Sequence, residues 1–146
     1  MEIFLSLKRP FTKEDIPIKK KEKSLPKVLP REQIKDLIAS TKNIKHKIAI
    51  KLLYSTGLRL SELLNLKRSD IDFEKNMVYV REGKGKKDRI TIISNSLKID
   101  LLKYYSNFIF KTEYLLEGRN GKYSKKSVQK ILKTGGRKIG IEIHPH

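Results

Sequence analysis

The amino-acid sequence predicts an α+β fold, a mainly helical domain carrying a small three-stranded antiparallel sheet. Apolar residues recur at three- and four-residue intervals in five stretches, the period of a helix with one buried face. Between residues 71 and 93 the period changes to short runs rich in Ile, Val, Thr and aromatic residues, separated by polar turns. The chain of 146 residues suits one compact domain, typically about 100 to 150 residues. No internal repeat or low-complexity tract complicates this reading.

The elements follow in order. Residues 6–30 contain Pro10, Pro17, Pro26 and Pro30 and the run Lys19-Lys20-Lys21-Glu22-Lys23, a composition that favours an extended, solvated segment. Residues 1–24 are therefore read as a basic arm or interdomain linker, and 25–146 as the folded part. Pro30 suits the start of a helix and Glu32 its first turn, introducing Ile34, Leu37 and Ile38. A second apolar stripe, Ile44, Ile48, Ala49, Leu52 and Leu53, is stopped by Gly57. A third, short helix follows that glycine, with Arg59 in its first turn. Ile71-Asp72-Phe73, Met77-Val78-Tyr79-Val80 and Ile90-Thr91-Ile92-Ile93 are the three strands, joined by the turn Glu74-Lys75-Asn76 and a charged loop at 83–88. Helices resume at 96–108 and 124–139. In the last of these Val128, Ile131, Leu132 and Ile139 form the buried stripe and the lysines face outward.

Charge narrows the function. The chain has 34 Lys and Arg against 16 Asp and Glu, a formal net charge of +18. Such a field attracts polyanions. The excess is uneven: between Gly118 and Ile141 there are eight basic residues and no acid. A nucleic-acid partner is the natural inference, because each phosphate neutralised releases counterions. No run of the roughly 18 to 20 apolar residues needed to span a bilayer is present, and the N-terminus lacks a signal-peptide core. With no cysteine there is no disulfide framework and no thiolate metal site. The expectation is a soluble, cytoplasmic, nucleoid-associated protein with no membrane contact.

Two segments carry candidate chemistry. In Thr56-Gly57-Leu58-Arg59-Leu60-Ser61-Glu62-Leu63-Leu64-Asn65-Leu66 a single arginine stands among leucines that call for burial. A guanidinium is rarely held in such a place without an anionic partner. That partner is either Glu62, three residues on and on the same helix face, or a bound phosphate, which a planar guanidinium grips with two parallel hydrogen bonds. The second segment is Gly83-Lys84-Gly85-Lys86-Lys87-Asp88-Arg89, where two glycines and four cations form a protruding tip. It lacks the GxxxxGK[ST] spacing of a P-loop, and alone it reads as a solvated turn.

Taken together these segments resemble the catalytic domain of the tyrosine recombinases, or phage integrases, which cut and rejoin DNA through a phosphotyrosine. Leu25-Pro26-Lys27-Val28-Leu29 with Ile34, Leu37 and Ile38 is similar to the domain's opening. Leu53-Tyr54-Ser55-Thr56-Gly57-Leu58-Arg59-Leu60-Ser61-Glu62-Leu63 resembles its first conserved box, the glycine-lysine segment its lysine hairpin, and His144-Pro145-His146 the start of its second box. The resemblance covers about residues 25–146 and implies the N-terminal part of the catalytic domain. It implies roles as well: Arg59 clamps the scissile phosphate, Glu62 orients it, Lys84 is the general acid for the leaving 5′ oxygen, and His146 contacts the phosphate and aids proton transfer. Lys86 stands close enough to Lys84 to be the alternative acid. Lys86, Lys87, Arg89, Lys125 and Lys126 are the DNA-binding candidates. Double-stranded DNA and other recombinase protomers are the implied partners, with no cofactor and no metal.

The pattern departs from the family beyond His146, where the second arginine and the nucleophilic tyrosine should follow, and before residue 25, where a helical DNA-clamping domain is usual. The expectation is a fragment that binds DNA without cleaving it. The six tyrosines do not fill the gap, since Tyr54, Tyr104 and Tyr105 fall in helical stripes, Tyr79 in a strand, and Tyr114 and Tyr123 near a basic loop. A regulatory or decayed DNA-binding relative is the alternative, followed by a basic RNA-binding protein or a metal nuclease. For the nuclease only Asp70 and Asp72 offer ligands, and alternate carboxylates beside a strand usually belong to a turn and its solvent face. RNA binding would favour exposed aromatic platforms, for which the sequence gives no sign.

Overall fold

The computed structural model describes residues 29–81 and 88–144. The arm at 1–24, most of the lysine hairpin (Lys84, Lys86 and Lys87 included) and His146 lie outside the described residues.

Helix α1 (Arg31–Ser40) begins behind Pro30 and buries Leu37. Its end is closed by the Ser40 and Thr41 hydroxyls, which both donate to the Leu37 carbonyl. Helix α2 (Ile44–Ser55) is capped by the Asn43 side chain, which accepts from the amides of Lys45 and His46. Ile48, Ala49, Ile50, Leu52 and Leu53 make it the most deeply buried helix, against which the others assemble. Gly57, at φ +73°, turns the chain out of α2 in a conformation costly for any residue with a Cβ. Helix α3 (Leu60–Asn65) follows, and Leu58, Leu63 and Leu66 anchor this corner in the core.

A turn of 3-10 helix, Arg68–Asp70, leads into the sheet. Strands β1 (Ile71–Asp72), β2 (Met77–Val80) and β3 (Arg89–Ile92) are antiparallel in the order β1-β2-β3. Val78 lies opposite Ile71 on one side and Thr91 on the other, and Val80 opposite Arg89. Asp72 shapes the first turn by accepting from the amides of Glu74 and Lys75, and Asn76 completes it at φ +55°. Asp72 is thus a turn former. Asp70 is not on a solvent face: it is buried, accepting from the Lys67 amide and from Arg81.

Helix α4 (Asn95–Asn107), capped by Ser94, packs along α2. The chain beyond it pairs back antiparallel on the segment after α3, through Arg68 N–H to Glu113 O and Leu115 N–H to Leu66 O. Glu117 organises this return, accepting from the Lys111 amide and from the amide and hydroxyl of Thr112. A two-stranded hairpin, β4 (Glu117–Gly118) and β5 (Gly121–Lys122), follows; the hydrophobic pattern does not predict it, although Asn120-Gly121 is a turn dipeptide. Helix α5 (Lys125–Lys138), capped by Ser124, lies across α1 and α2, and Gly135 permits close approach to Leu37.

Candidate functional site

The site forms where the α2–α3 turn meets the first residues of β3. Arg59 is not in the first turn of α3 but immediately before it, at the N-cap with extended backbone (φ −77°, ψ 158°). This is a poor local choice. A guanidinium has no acceptor to offer the free amides of a helix start, and its charge opposes the positive end of the helix dipole. Glu62 compensates from the third helical position, accepting the Arg59 backbone N–H at 2.8 Å.

The sequence predicts an at least half-buried arginine whose partner is either Glu62 or a bound phosphate. The structure reverses the burial. The Glu62 side chain is only 4% exposed, whereas that of Arg59 is 54% exposed. Leucines around Arg59 fill the core while its own guanidinium faces outward.

Glu62 serves two arginines. Its Oε2 accepts from Arg59 Nη1 at 3.2 Å and from Arg89 Nη1 at 3.3 Å, and its Oε1 accepts from Arg89 Nη2 at 2.9 Å. Arg89 Nη2 also donates to the Gly57 carbonyl at 3.3 Å. Arg89 therefore holds the carboxylate with both prongs of its fork, and Arg59 touches it with one nitrogen. Two guanidinium charges against one carboxylate leave the cluster net positive. The β3 strand is fixed here a second time, by the Thr91 hydroxyl donating to Thr56 O at 3.3 Å.

Of the sequence-derived candidates, the structure brings Arg59, Glu62 and Arg89 together. Lys125 and Lys126 stand exposed at the start of α5. Lys122, just before them, donates to Asn65 Oδ1 at 2.6 Å at the C-terminal end of α3. The short helix α3 thus has an arginine at one end and a lysine at the other. Farther along α5, Lys130 and Lys138 share a hollow of about 520 Å³ with Lys42, His46 and Tyr123. Burial, then the charges of Lys45 and Lys138, lower the His46 pKa from its ordinary value.

All six tyrosines lie among the described residues and take part in the fold. Tyr104 is fully buried and donates to Leu115 O at 2.7 Å, and burial raises its hydroxyl pKa well above the ordinary value. Burial likewise pushes Tyr105 up to about 12, and raises Tyr54 and Tyr123. Tyr79 pairs in β2, and Tyr114 bridges to Lys67 with Lys122 over its ring. Among the described residues no group of three acids or histidines converges as metal ligands would, and no helix is long and apolar enough to cross a membrane.

Comparison with known proteins agrees with this fold. The model of the phage integrase family matches residues 27–146. Two relatives, both described as tyrosine recombinase XerA, come from Pyrococcus horikoshii and Pyrococcus furiosus. The first is 39% identical over 128 residues, covering 85% of this chain and 45% of the relative. The second is 44% identical over 130 residues, covering 85% and 46%. Among solved structures, a XerA recombinase superposes with a TM-score of 0.70 at 28% identity, over 80% of this chain and 44% of that one. A XerH site-specific recombinase shares the fold with a TM-score of 0.68 at 19% identity, over 85% and 39%. The chain belongs to the phage integrase family, the tyrosine recombinases. It spans about half the length of the curated relatives it matches.

Proposed function

We propose that this chain supplies the duplex-binding face and the first half of the active site of a DNA strand-exchange recombinase. The observation that carries this reading is Arg59: a half-exposed arginine side chain, touched through one guanidinium nitrogen by a buried carboxylate. That is the arrangement a phosphodiester needs, because a clamp must be rigid before the anion arrives and still have donors to offer it. The XerH neighbour was solved in a post-cleavage complex with its difH substrate, which supports DNA as the partner here.

In the complete reaction a tyrosine oxygen attacks phosphorus, the bond to the 5′ oxygen breaks, and a 3′-phosphotyrosine forms. Arg59 stabilises charge on the non-bridging oxygens, and Glu62 holds it in place. Lys84 gives the departing 5′ oxygen its proton, a task open to a lysine whose pKa is lowered by neighbouring cations, and Lys86 is the alternative donor. His146 contacts the same phosphate. Lys86, Lys87, Lys125 and Lys126 neutralise phosphates to either side, and other recombinase protomers complete the assembly.

The tyrosines of residues 1–146 serve the fold, so this chain binds duplex DNA and forms no covalent adduct. Incubation with a nicked suicide duplex tests this. The expected result is a salt-sensitive shifted complex that denaturant abolishes; a protein–DNA band surviving denaturation would overturn it.

A further inference from the structure

We infer that Arg89 is a positioning residue, which keeps Arg59 available to phosphate by occupying Glu62 itself. The inference rests on the proposed phosphate role of Arg59 and adds a residue that acts through it. It also reassigns Arg89 from a DNA contact of its own to an internal one.

Geometry gives the first reason. Arg89 engages both oxygens of Glu62 at 2.9 and 3.3 Å and the Gly57 carbonyl at 3.3 Å. Its side chain is 37% exposed, against 54% for Arg59. The fork most suited to a phosphate is thus already spent on a carboxylate, while that of Arg59 is not. The two arginines compete for one buried anion. With Arg89 in place, Glu62 is compensated and Arg59 needs to supply only an edge. Without Arg89, Glu62 would be a buried carboxylate facing a single cation, and pairing fully with Arg59 is its best available compensation. The phosphate clamp would then be neutralised by its own support.

Strand register gives the second reason. Along β3 the inward positions are Arg89 and Thr91, and the outward ones are Ile90 and Ile92, 54% and 70% exposed. Apolar burial alone would select the opposite phase, since a one-residue slip exchanges the two faces of a strand. The observed phase leaves two isoleucines in water and directs Arg89 at Glu62 and Thr91 at Thr56 O. A local rule broken in this way marks a functional constraint. It ties the strand leaving the lysine hairpin to the helix that carries the phosphate clamp.

Salt dependence of binding separates this role from the others, because the slope of log affinity against log salt steepens by about 0.9 for each phosphate the protein neutralises. The full chain would be titrated with a short fluorescent duplex at several salt concentrations. Arg59→Ala is expected to flatten the slope by about one phosphate, Arg89→Ala by the same amount, and Arg59→Ala/Arg89→Ala by no more than either. Glu62→Gln added to Arg89→Ala removes the competing charge and restores the wild-type slope. This double variant leaves no buried charge unpaired, so it remains informative if Arg89→Ala does not fold. A slope flattened by about two phosphates in the double alanine variant, or by about one in Glu62→Gln/Arg89→Ala, would show that Arg89 holds a phosphate itself. An unchanged slope in Arg89→Ala would reduce Arg89 to a structural role. An unchanged slope in Arg59→Ala would overturn both this inference and the reading beneath it.

Discussion

Glu62 is the residue on which the site depends, and its removal has a calculable effect. The carboxylate accepts the Arg59 amide at 2.8 Å, which ends an otherwise uncapped helix, and a capping interaction contributes about 1 kcal/mol. Its contacts with Arg89 and Arg59 involve side chains 37% and 54% exposed, so solvent screening limits each pair to roughly 0.5 to 1 kcal/mol despite the burial of Glu62. Loss of apolar packing around the side-chain stem adds a similar increment, about 0.8 kcal/mol for each buried methylene. Glu62→Ala is therefore expected to cost about 3 to 4 kcal/mol, or roughly 10 to 15 °C in Tm for a domain of this size. Glu62→Gln, which keeps the shape and one acceptor, should lose about half as much. Thermal unfolding followed by far-UV circular dichroism measures both, and repeating it in high salt should reduce the deficit only slightly, because the carboxylate itself is buried. A Glu62→Ala variant within about 0.5 kcal/mol of wild type would show that the cluster is an ordinary surface ion pair, unable to hold Arg59 rigidly.

Other expectations concern the scaffold. Tyr54 and Tyr104 both carry a buried hydroxyl, but that of Tyr54 has no hydrogen-bond partner among the described residues whereas that of Tyr104 donates to Leu115 O. Tyr104→Phe should therefore cost about 1 kcal/mol by chemical denaturation, and Tyr54→Phe should be neutral or stabilising. A methyl group at Gly135 would come 2.5 Å from Leu37 Cδ1, inside a fully buried contact between α5 and α1. Gly135→Ala should lower Tm despite the roughly 1 kcal/mol gained in helix propensity, since overpacking costs about 1 to 3 kcal/mol. Burial alone would raise the Glu117 carboxyl, but the Thr112 hydroxyl, the Lys111 and Thr112 amides and the charge of Arg68 outweigh it and hold its pKa below the ordinary value. A carboxylate with a depressed folded-state pKa stabilises the fold above its unfolded pKa, about 4.3, and loses that contribution as pH falls through the folded value. Glu117→Gln should thus be less stable than wild type at pH 7, with the gap closing as unfolding is measured at progressively lower pH, below about 4.

Much of the fold is legible in the sequence because its elements obey local rules. Pro30 opens a helix, Gly57 closes one, and Val128, Ile131 and Leu132 repeat at helical spacing. What escapes a reading of the sequence depends on contacts between distant residues. The β4–β5 hairpin is two residues a side, too short for any periodicity, and is held by Glu117, whose partners lie at 111 and 112. At the site, Arg59 and Glu62 are readable as a pair because they are three residues apart. Arg89 is readable only as one cation of a basic hairpin, since nothing local shows that the strand turns it inward onto an acid 27 residues earlier. Its one visible trace is that burying Arg89 and Thr91 instead of Ile90 and Ile92 is the less apolar of two possible phases. The burial of Glu62 in preference to Arg59 is hidden for the same reason, because it follows from Arg89 sitting over it.

The direction in which Arg59 points when DNA is bound decides whether it is a phosphate clamp, and a crystal structure of this chain with a duplex measures that directly. The expected result places an Arg59 guanidinium nitrogen about 2.7 to 2.9 Å from a backbone phosphate oxygen, with Arg89 still forked on Glu62. A complex in which the duplex lies on another face, or in which Arg89 grips the phosphate and Arg59 the carboxylate, would contradict it.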